Sequence, residues 1–187
     1  MAIISKLTTK KKDFKPKEYK DFIEELTKNK VTVGIHKGSA ENVLNHALWN
    51  EFGTTHITGK TYHFRKKIGN HFEHFFIPKG TDISIPARPF VRLTLFPQVR
   101  KKINSWYGEL LSKRMLRGLK TPKSNAREVL KDLSYYSELR MKDIANGVEF
   151  NNYAPNAALT VQIKGFNQPL LQTGKMINSI KGKVSKR

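Results

Sequence analysis

The stretch Val43-Leu-Asn-His-Ala-Leu-Trp-Asn-Glu-Phe-Gly-Thr54 contains a helix, its end and the start of an extended segment. Its apolar side chains, at positions 43, 44, 47, 48 and 52, recur at helical spacing, and Gly53 follows where a glycine commonly ends a helix. Just before this stretch, Val31, Val33 and Ile35 alternate with Thr32 and Gly34, as in a strand with one buried face. A strand followed directly by a helix predicts a chain that mixes both types of element.

Helices are predicted on both sides of this stretch. Apolar side chains at helical spacing predict helices at 17–29 and 125–146, and a long helix from Pro89 to Leu119 that bends at Pro97.

Ser124 and Thr173 are suitable N-cap residues, Ser124 for the helix at 125–146 and Thr173 for a short last helix that ends at Ile180. In contrast, residues 159–163 alternate between apolar and polar side chains, which predicts a strand.

The segment 54–86 is predicted as a long excursion made of short strands. Thr61–Ile68 and Phe72–Ile77 are expected to pair as a hairpin through Gly69-Asn70, and a third strand is expected at 82–85.

The predicted fold class is therefore α+β, with a small, mostly antiparallel sheet packed with helices. We expect one domain over residues 1–187, with 1–15 as a basic N-terminal arm and 54–86 as a long hairpin insertion.

The formal net charge of +20 arises from 35 Lys and Arg against 15 Asp and Glu. Such a charge predicts an acidic partner, which is a nucleic acid, an anionic membrane surface or an acidic protein face, and does not choose among them. No apolar run has the length of a membrane span, and the first residues lack the apolar core of a secretory signal. We expect neither a membrane segment nor a signal peptide.

No residue pattern indicates an enzyme. The chain has no Cys, which excludes disulfides, thiol catalysis and thiolate metal sites. Five residues separate Gly53 from Gly59, whereas a phosphate-binding loop requires four. His71, Glu73 and His74 form the densest group of metal-binding residue types, but in a strand His74 points away from the other two. We expect no catalytic residue, no metal and no cofactor.

Three segments, in this order, resemble motifs of the tail-completion and virion-morphogenesis (neck, head-tail joining) protein family of long-tailed bacteriophages. The first is Val33-Gly-Ile35 together with Asn45-His-Ala-Leu-Trp-Asn-Glu-Phe-Gly-Thr54. The second is Ile85-Pro-Ala-Arg-Pro-Phe-Val-Arg92, and the third runs from Asn156 to Pro169-Leu-Leu-Gln-Thr-Gly-Lys-Met-Ile-Asn-Ser-Ile180. The resemblance covers most of the chain.

The resemblance implies a structural virion protein of the phage neck or tail top, whose copies form a ring that completes the tail and joins it to the head connector. It implies a homo-oligomer, a hexamer in the family, with the head connector or stopper protein and the tail terminator or tail tube protein as partners. Viral DNA in the channel is a further implied partner, and no membrane is. The implied location is the virion, and the host cytoplasm during assembly.

Two further expectations accompany this hypothesis. The family continues into strands after its Ser-Ile helix, whereas Lys181–Arg187 offers little sequence for them, so we expect a sheet edge there that is short or is supplied by a neighbouring subunit. Composition alone also leaves open an alternative function, a non-specific nucleic-acid-binding module that contacts the phosphate backbone without reading bases.

The candidate contact residues form two groups. Motif and hairpin residues are candidates for subunit or partner contacts, namely Glu51, Phe64, Phe72, Phe75, Arg88, Phe90 and Arg92. Ion pairs of Glu51, Arg88 and Arg92, inside the fold or across subunits, are the alternative, and Arg88 between two prolines suits a fixed bidentate contact. Basic residues are candidates for facing DNA, namely Lys10, Lys11, Lys12, Lys113, Arg114, Arg117 and Lys120.

Overall fold

The computed structural model describes residues 16–94, 97–117, 122–148, 153–171 and 173–187. Its helices are α1 (Pro16–Lys28), α2 (Glu41–Phe52), α3 (Phe90–Thr94), α4 (Pro97–Arg117), α5 (Pro122–Ala145), α6 (Ala158–Lys164) and α7 (Lys175–Asn178). Its strands are β1 (Asn29–Ile35), β2 (Thr54–Ile57), β3 (Tyr62–Ile68), β4 (His71–Ile77), β5 (Asp82–Ile85) and β6 (Ile180–Lys186). The fold is α+β, as predicted, and the strands described form antiparallel pairs β1–β6, β2–β5 and β3–β4.

The chain divides into two compact units, and one domain over residues 1–187 stays a prediction. The first unit comprises the chain up to Thr32 with Lys101–Ser137 and Gly182–Arg187, and the second comprises Val33–Arg100 with Glu138–Lys181.

The first unit has its core between α1 and α5. Phe22 of α1 packs with Ala126 and Val129 of α5, all three at most 2% exposed, and Leu26 and Leu110 pack against this cluster. These side chains share one face of each helix because they recur at three- and four-residue spacing, so their burial is the main stabilising contribution to this unit.

A close approach of strand to helix also marks the first unit. A Cβ placed on Gly182 of β6 would lie 2.3 Å from the carbonyl oxygen of Ser134 in α5 and 2.5 Å from its hydroxyl oxygen. Backbone cannot move aside as a flexible side-chain end can, so a glycine is required where the strand passes this carbonyl.

Gly182→Ala is expected to lower the free energy of unfolding by about 1–3 kcal/mol, because the added methyl group forces β6 away from α5. Denaturant unfolding followed by circular dichroism measures the change. Gly59→Ala is the matched control, since its added methyl group would meet no atom within 4 Å. Equal stability of the Gly182 and Gly59 variants would contradict the prediction.

The second unit has its core around α2, which packs against α3 and α7. Its buried apolar side chains are Val43, Ala47, Phe90, Met141, Ile144, Ala145, Met176, Ile177 and Ile180. The glycine stop predicted after α2 is confirmed, since Gly53 has φ +75° and a Cβ there would lie 3.0 Å from the amide nitrogen of Ala87. Gly53 thus serves both the turn and the close passage of the chain before α3.

The predicted hairpin is confirmed in the second unit. β3 and β4 pair antiparallel from Tyr62 opposite Ile77 to Ile68 opposite His71, with Gly69-Asn70 as the turn. The strand expected at 82–85 is β5, which pairs with β2, a strand that the sequence analysis did not predict.

Several predicted elements differ from the observed ones. Residues 159–163 lie in helix α6 and not in a strand, and Gly165 ends this helix at φ +84° with its N–H donating to the carbonyl of Val161. Five residues that alternate between apolar and polar side chains fit the period of a strand or of a helix. The glycine at the end of the segment is the stronger signal, and it indicates a helix. The predicted long helix from Pro89 is described as α3 and α4, and residues 95–96, just before the bend predicted at Pro97, lie outside the described residues.

The ends of two predicted helices also differ. Helix α5 begins at Pro122, which places Ser124 inside the helix and not at its cap, in keeping with the preference of proline for the first turn. The last helix is only Lys175–Asn178, and β6 follows it at Ile180 and pairs with β1, so the sheet edge expected to be short is a seven-residue strand.

Within the described residues, none of the helices combines the length and the apolar character that crossing a bilayer requires.

Candidate functional site

Glu51, in the last turn of α2, is the centre of a hydrogen-bonded cluster in the second unit. It is 5% exposed, and its Oε2 accepts a hydrogen bond from the backbone N–H of Val91 at 2.8 Å. Its Oε1 accepts from the backbone N–H and the Nε of Arg92, both at 3.0 Å. The first N–H groups of a helix have no acceptor inside that helix, so Glu51 caps α3 from a different element.

Arg92 closes the cluster from the other side. Its guanidinium forms the ion pair with Glu51, donates through Nη2 to the Glu51 carbonyl oxygen, and lies 5.1 Å from the ring centroid of Phe52. An ion pair inside the fold is one of the alternatives given for these motif residues, and the structure contains it for Glu51 and Arg92. The side chain of Arg92 remains 53% exposed, so the ion pair lies partly in water.

Arg88 is buried beside this cluster and is 5% exposed. Its Nε and Nη2 donate at 2.9 Å to the carbonyl oxygens of Ala154 and Pro155, and its Nη1 lies 3.4 Å from the Asn50 side-chain oxygen. The bidentate contact expected of Arg88 is therefore made to two backbone carbonyls. Burial lowers the pKa of Arg88, which is the direction that desolvation gives a cation.

Lys164, at the end of α6, adds a second positive charge to this region. Burial, and then the charge of Arg88, lower the pKa of Lys164, and its Nζ donates to the Gln168 carbonyl at 2.7 Å. The Nζ of Lys164 also lies over the ring of Phe166, 4.8 Å from its centroid.

A cavity of about 350 Å³ lies next to Pro155 and is lined by Asn146, Gly147, Tyr153 and residues 167–169. Among the described residues, its lining offers amide groups and one phenol, without a carboxylate or an imidazole. The Tyr153 hydroxyl donates to the Ile144 carbonyl at 3.1 Å, and burial, with a smaller contribution from the charge of Glu51, raises the pKa of Tyr153 to about 12. At neutral pH this phenol is a structural donor and does not act as a base.

The raised pKa of Tyr153 predicts a loss of stability at alkaline pH. Its ordinary pKa is 10.0, so the stabilisation is complete below about pH 10 and is lost as the pH rises toward about 12, where the folded protein must also ionise the phenol. Tyr153→Phe is expected to weaken this pH dependence and to delete the late step of the tyrosinate absorbance titration. Tyr62→Phe, at an exposed position, is the control, and identical alkaline profiles for wild type and Tyr153→Phe would contradict the prediction.

The hairpin β3–β4 has two faces that follow from its register. One face carries His63, Arg65 and Lys67 with Phe72, His74 and Phe76 across the strands, and all six are exposed. The opposite face carries Phe64, Lys66 and Phe75, and the Nζ of Lys66 donates to the Gln162 carbonyl of α6 at 2.7 Å.

The candidate contact residues are thus in different environments. Glu51, Arg88 and Phe90 are buried, Phe90 at 0%, and the bonds described for Glu51 and Arg88 go to their own chain. This geometry places these three inside the fold and not on a contact surface, as the sequence analysis also allowed for Glu51 and Arg88. Phe64 and Phe72 are 39% and 49% exposed, and Phe75 is half-buried.

The candidate DNA-facing residues are only partly described. Lys113 is exposed on α4, and Arg114 and Arg117 lie in the same helix. Lys10, Lys11, Lys12 and Lys120 lie outside the described residues, as does the arm 1–15.

Pairing across the hairpin brings together two histidines that the sequence analysis did not pair. His63 Nε2 lies 2.7 Å from His74 Nδ1, whereas His71 and Glu73 are on the other face. The two-residue turn at Gly69-Asn70 sets the register, so the signal for this pair is present in the sequence. Among the described residues, no three His, Asp or Glu side chains gather in a way that could hold a metal ion.

No family model, no curated protein and no solved structure matches the chain.

Proposed function

We propose that the chain is a structural subunit of the neck or tail top of a tailed-phage particle, where copies form a closed ring that completes the tail and joins it to the head connector. The observation that carries the proposal is that the three segments with the family's motifs contact one another. Glu51 of the first segment binds the backbone of Val91 and Arg92 in the second. Arg88 of the second binds the carbonyls of Ala154 and Pro155, immediately before the third.

These contacts explain why the motif residues occur in this combination. Glu51, Gly53 and the two arginines, Arg88 and Arg92, fix the end of α2, the extended turn before α3 and the loop at 154–155 relative to one another. Helix α7 of the third segment packs against α2. The motifs therefore describe a shared scaffold and not an active site. This favours a structural protein over an enzyme.

A closed ring formed by head-to-tail contacts needs two different complementary surfaces on each subunit. The second unit exposes two sets of large apolar side chains that suit this requirement. One is the hairpin with Phe72 at 49% and Phe76 at 60%, and the other is α2 with Leu48 at 54% and Phe52 at 64%. Exposed apolar side chains in contiguous groups mark contact surfaces between proteins. In the proposed ring the hairpin of one subunit lies on the α2 surface of the next.

The charge of the chain fits a position next to the DNA channel. The net charge of +20 gives the ring a strongly positive field, and phosphate contacts through lysine and arginine require no particular base sequence. The positive charge accordingly belongs to the surface that faces DNA or acidic partner proteins.

Phe72→Glu is expected to abolish ring formation without unfolding the chain, because the side chain is exposed on the hairpin and a buried charge at a subunit contact is costly. Mass photometry and negative-stain microscopy of the purified protein measure the oligomer, and circular dichroism checks the fold. Tyr135→Glu is the matched control, since Tyr135 is 63% exposed on α5. Rings that persist in the Phe72→Glu variant would show that the hairpin is not part of the contact between subunits.

Loss of the gene tests the assignment to the particle. The expected result is full heads beside unattached tails or tails of the wrong length. Two results together would favour the nucleic-acid-binding alternative. Normal particles would form without this chain, and the chain would retard DNA on gels only while its lysine-rich segments are present.

A further inference from the structure

The exposed face of the hairpin holds two histidines within bonding distance. His63 on β3 lies opposite Phe76, and His74 on β4 lies opposite Arg65, so the two histidines are diagonal neighbours on one face. Their rings are nearly parallel, 12° apart with centroids at 4.9 Å, and His63 Nε2 is 2.7 Å from His74 Nδ1. One ring nitrogen donates to the other, so at least one imidazole of the pair offers a lone pair.

A third ring holds His63 in place. Phe76 stacks on His63 with centroids 4.5 Å apart and planes 7° apart. A metal ligand that is already oriented loses less rotational freedom on coordination, which raises affinity. Phe76 is a positioning residue for the pair and supplies no coordinating atom.

We propose that His63 and His74 form a binding site for a divalent transition-metal ion that prefers imidazole ligands in a square or octahedral arrangement, such as Cu²⁺ or Ni²⁺. Metal–imidazole bonds are about 2.0–2.1 Å long, so two ligands at 90° place their nitrogens about 2.9 Å apart, against about 3.3 Å for a tetrahedral metal. The observed separation of 2.7 Å is closer to the first value than to the second, and because the two nitrogens face each other in the hydrogen bond, both rings must also turn before their lone pairs converge on one metal.

The chemistry of coordination follows from the hydrogen bond that it replaces. Both nitrogens must offer a lone pair to the metal, so the shared proton moves to the other nitrogen of its own ring. Water completes the coordination, because no third His, Asp or Glu joins the pair in the described part of the chain. Arg65 and Lys67 lie on the same face and repel a cation, which makes the site one of moderate affinity.

The site lies on the hairpin face that the proposed ring contact uses, so metal is expected to bind the unassembled subunit, and the test is made on the monomeric fraction of the chain. Isothermal titration of the untagged full chain with Cu²⁺ or Ni²⁺ measures the affinity at neutral pH. His63→Gln and His74→Gln are each expected to raise the dissociation constant at least about tenfold, since even the loss of an outer partner of a ligand costs that much. His71→Gln, on the opposite face of the same hairpin, is the matched control and is expected to leave the affinity unchanged.

A spectroscopic measurement separates coordination from a structural effect. The Cu²⁺ electron paramagnetic resonance spectrum is expected to show two equivalent nitrogen ligands, reduced to one in either glutamine variant. Phe76→Leu is expected to weaken binding several-fold and to retain both nitrogens, as a positioning role requires. The proposal is overturned if His63→Gln and His71→Gln bind equally, or if the wild-type spectrum lacks the second nitrogen while circular dichroism shows every variant folded.

Discussion

Glu51→Ala is expected to lower the free energy of unfolding by about 3–5 kcal/mol. The carboxylate is 5% exposed and accepts hydrogen bonds from two backbone N–H groups and one guanidinium N–H. Its removal leaves the two backbone donors at the start of α3 without an acceptor. Chemical unfolding with urea, followed by circular dichroism, measures the loss.

Two further variants identify the cause of that loss. Because the side chain of Arg92 is 53% exposed, the ion pair itself contributes little, and Glu51→Ala is expected to remain costly in an Arg92→Ala background, by about 2–3 kcal/mol. Glu41→Gln, on the exposed start of α2, is the control and is expected to change stability by less than about 1 kcal/mol. Full loss of the Glu51 effect when Arg92 is absent would show that the ion pair dominates.

Arg88→Ala is expected to lower the free energy of unfolding by about 3–4 kcal/mol, because the carbonyls of Ala154 and Pro155 lose their donors in a buried site. Arg88→Lys is expected to recover less than half of this, since a single ammonium group cannot reproduce the fork that spans two carbonyls. The measurement is a urea titration combined with amide hydrogen exchange in residues 153–157. Arg65→Ala on the hairpin is the exposed control.

The location of the change distinguishes this prediction from a general loss of stability. Exchange should accelerate first at 153–157, because Arg88 is the anchor of that loop. Faster exchange that is uniform over the whole chain, with no early effect at 153–157, would show that Arg88 does not hold the loop.

Local patterns were enough to predict much of the fold. The turn at Gly69-Asn70 predicted the hairpin, and Gly53 predicted the end of α2, because glycine can adopt a positive φ without strain. Local alternation failed at 159–163, where five residues are too few to separate a strand from the helix α6. Strand β6 also escaped prediction, since its partner β1 is far away in sequence and a short, lysine-rich strand has no strong period of its own.

The site was predictable as a set of residues but not as a set of contacts. Motif resemblance selected Glu51, Arg88 and Arg92, but their main partners are backbone atoms, which carry no sequence signal. Whether such a residue is buried depends on tertiary packing, which the local sequence does not show. For this reason some residues that the motifs suggested for a contact surface lie in the interior. The pair His63–His74 follows from the hairpin register alone. It could therefore have been predicted from the sequence, although it was not.

The pairing of β1 with β6 has a consequence for the order in which the chain acquires structure during synthesis. His36, just after β1, donates a hydrogen bond from its Nε2 to the carbonyl oxygen of Lys181 in β6, and the two positions are 145 residues apart. At ribosomal rates of about 5–20 residues per second, β1 has no native partner for roughly 7–30 seconds after it emerges. In that interval its open edge can pair with other nascent copies, so the yield of correctly folded chain is expected to depend on the expression rate.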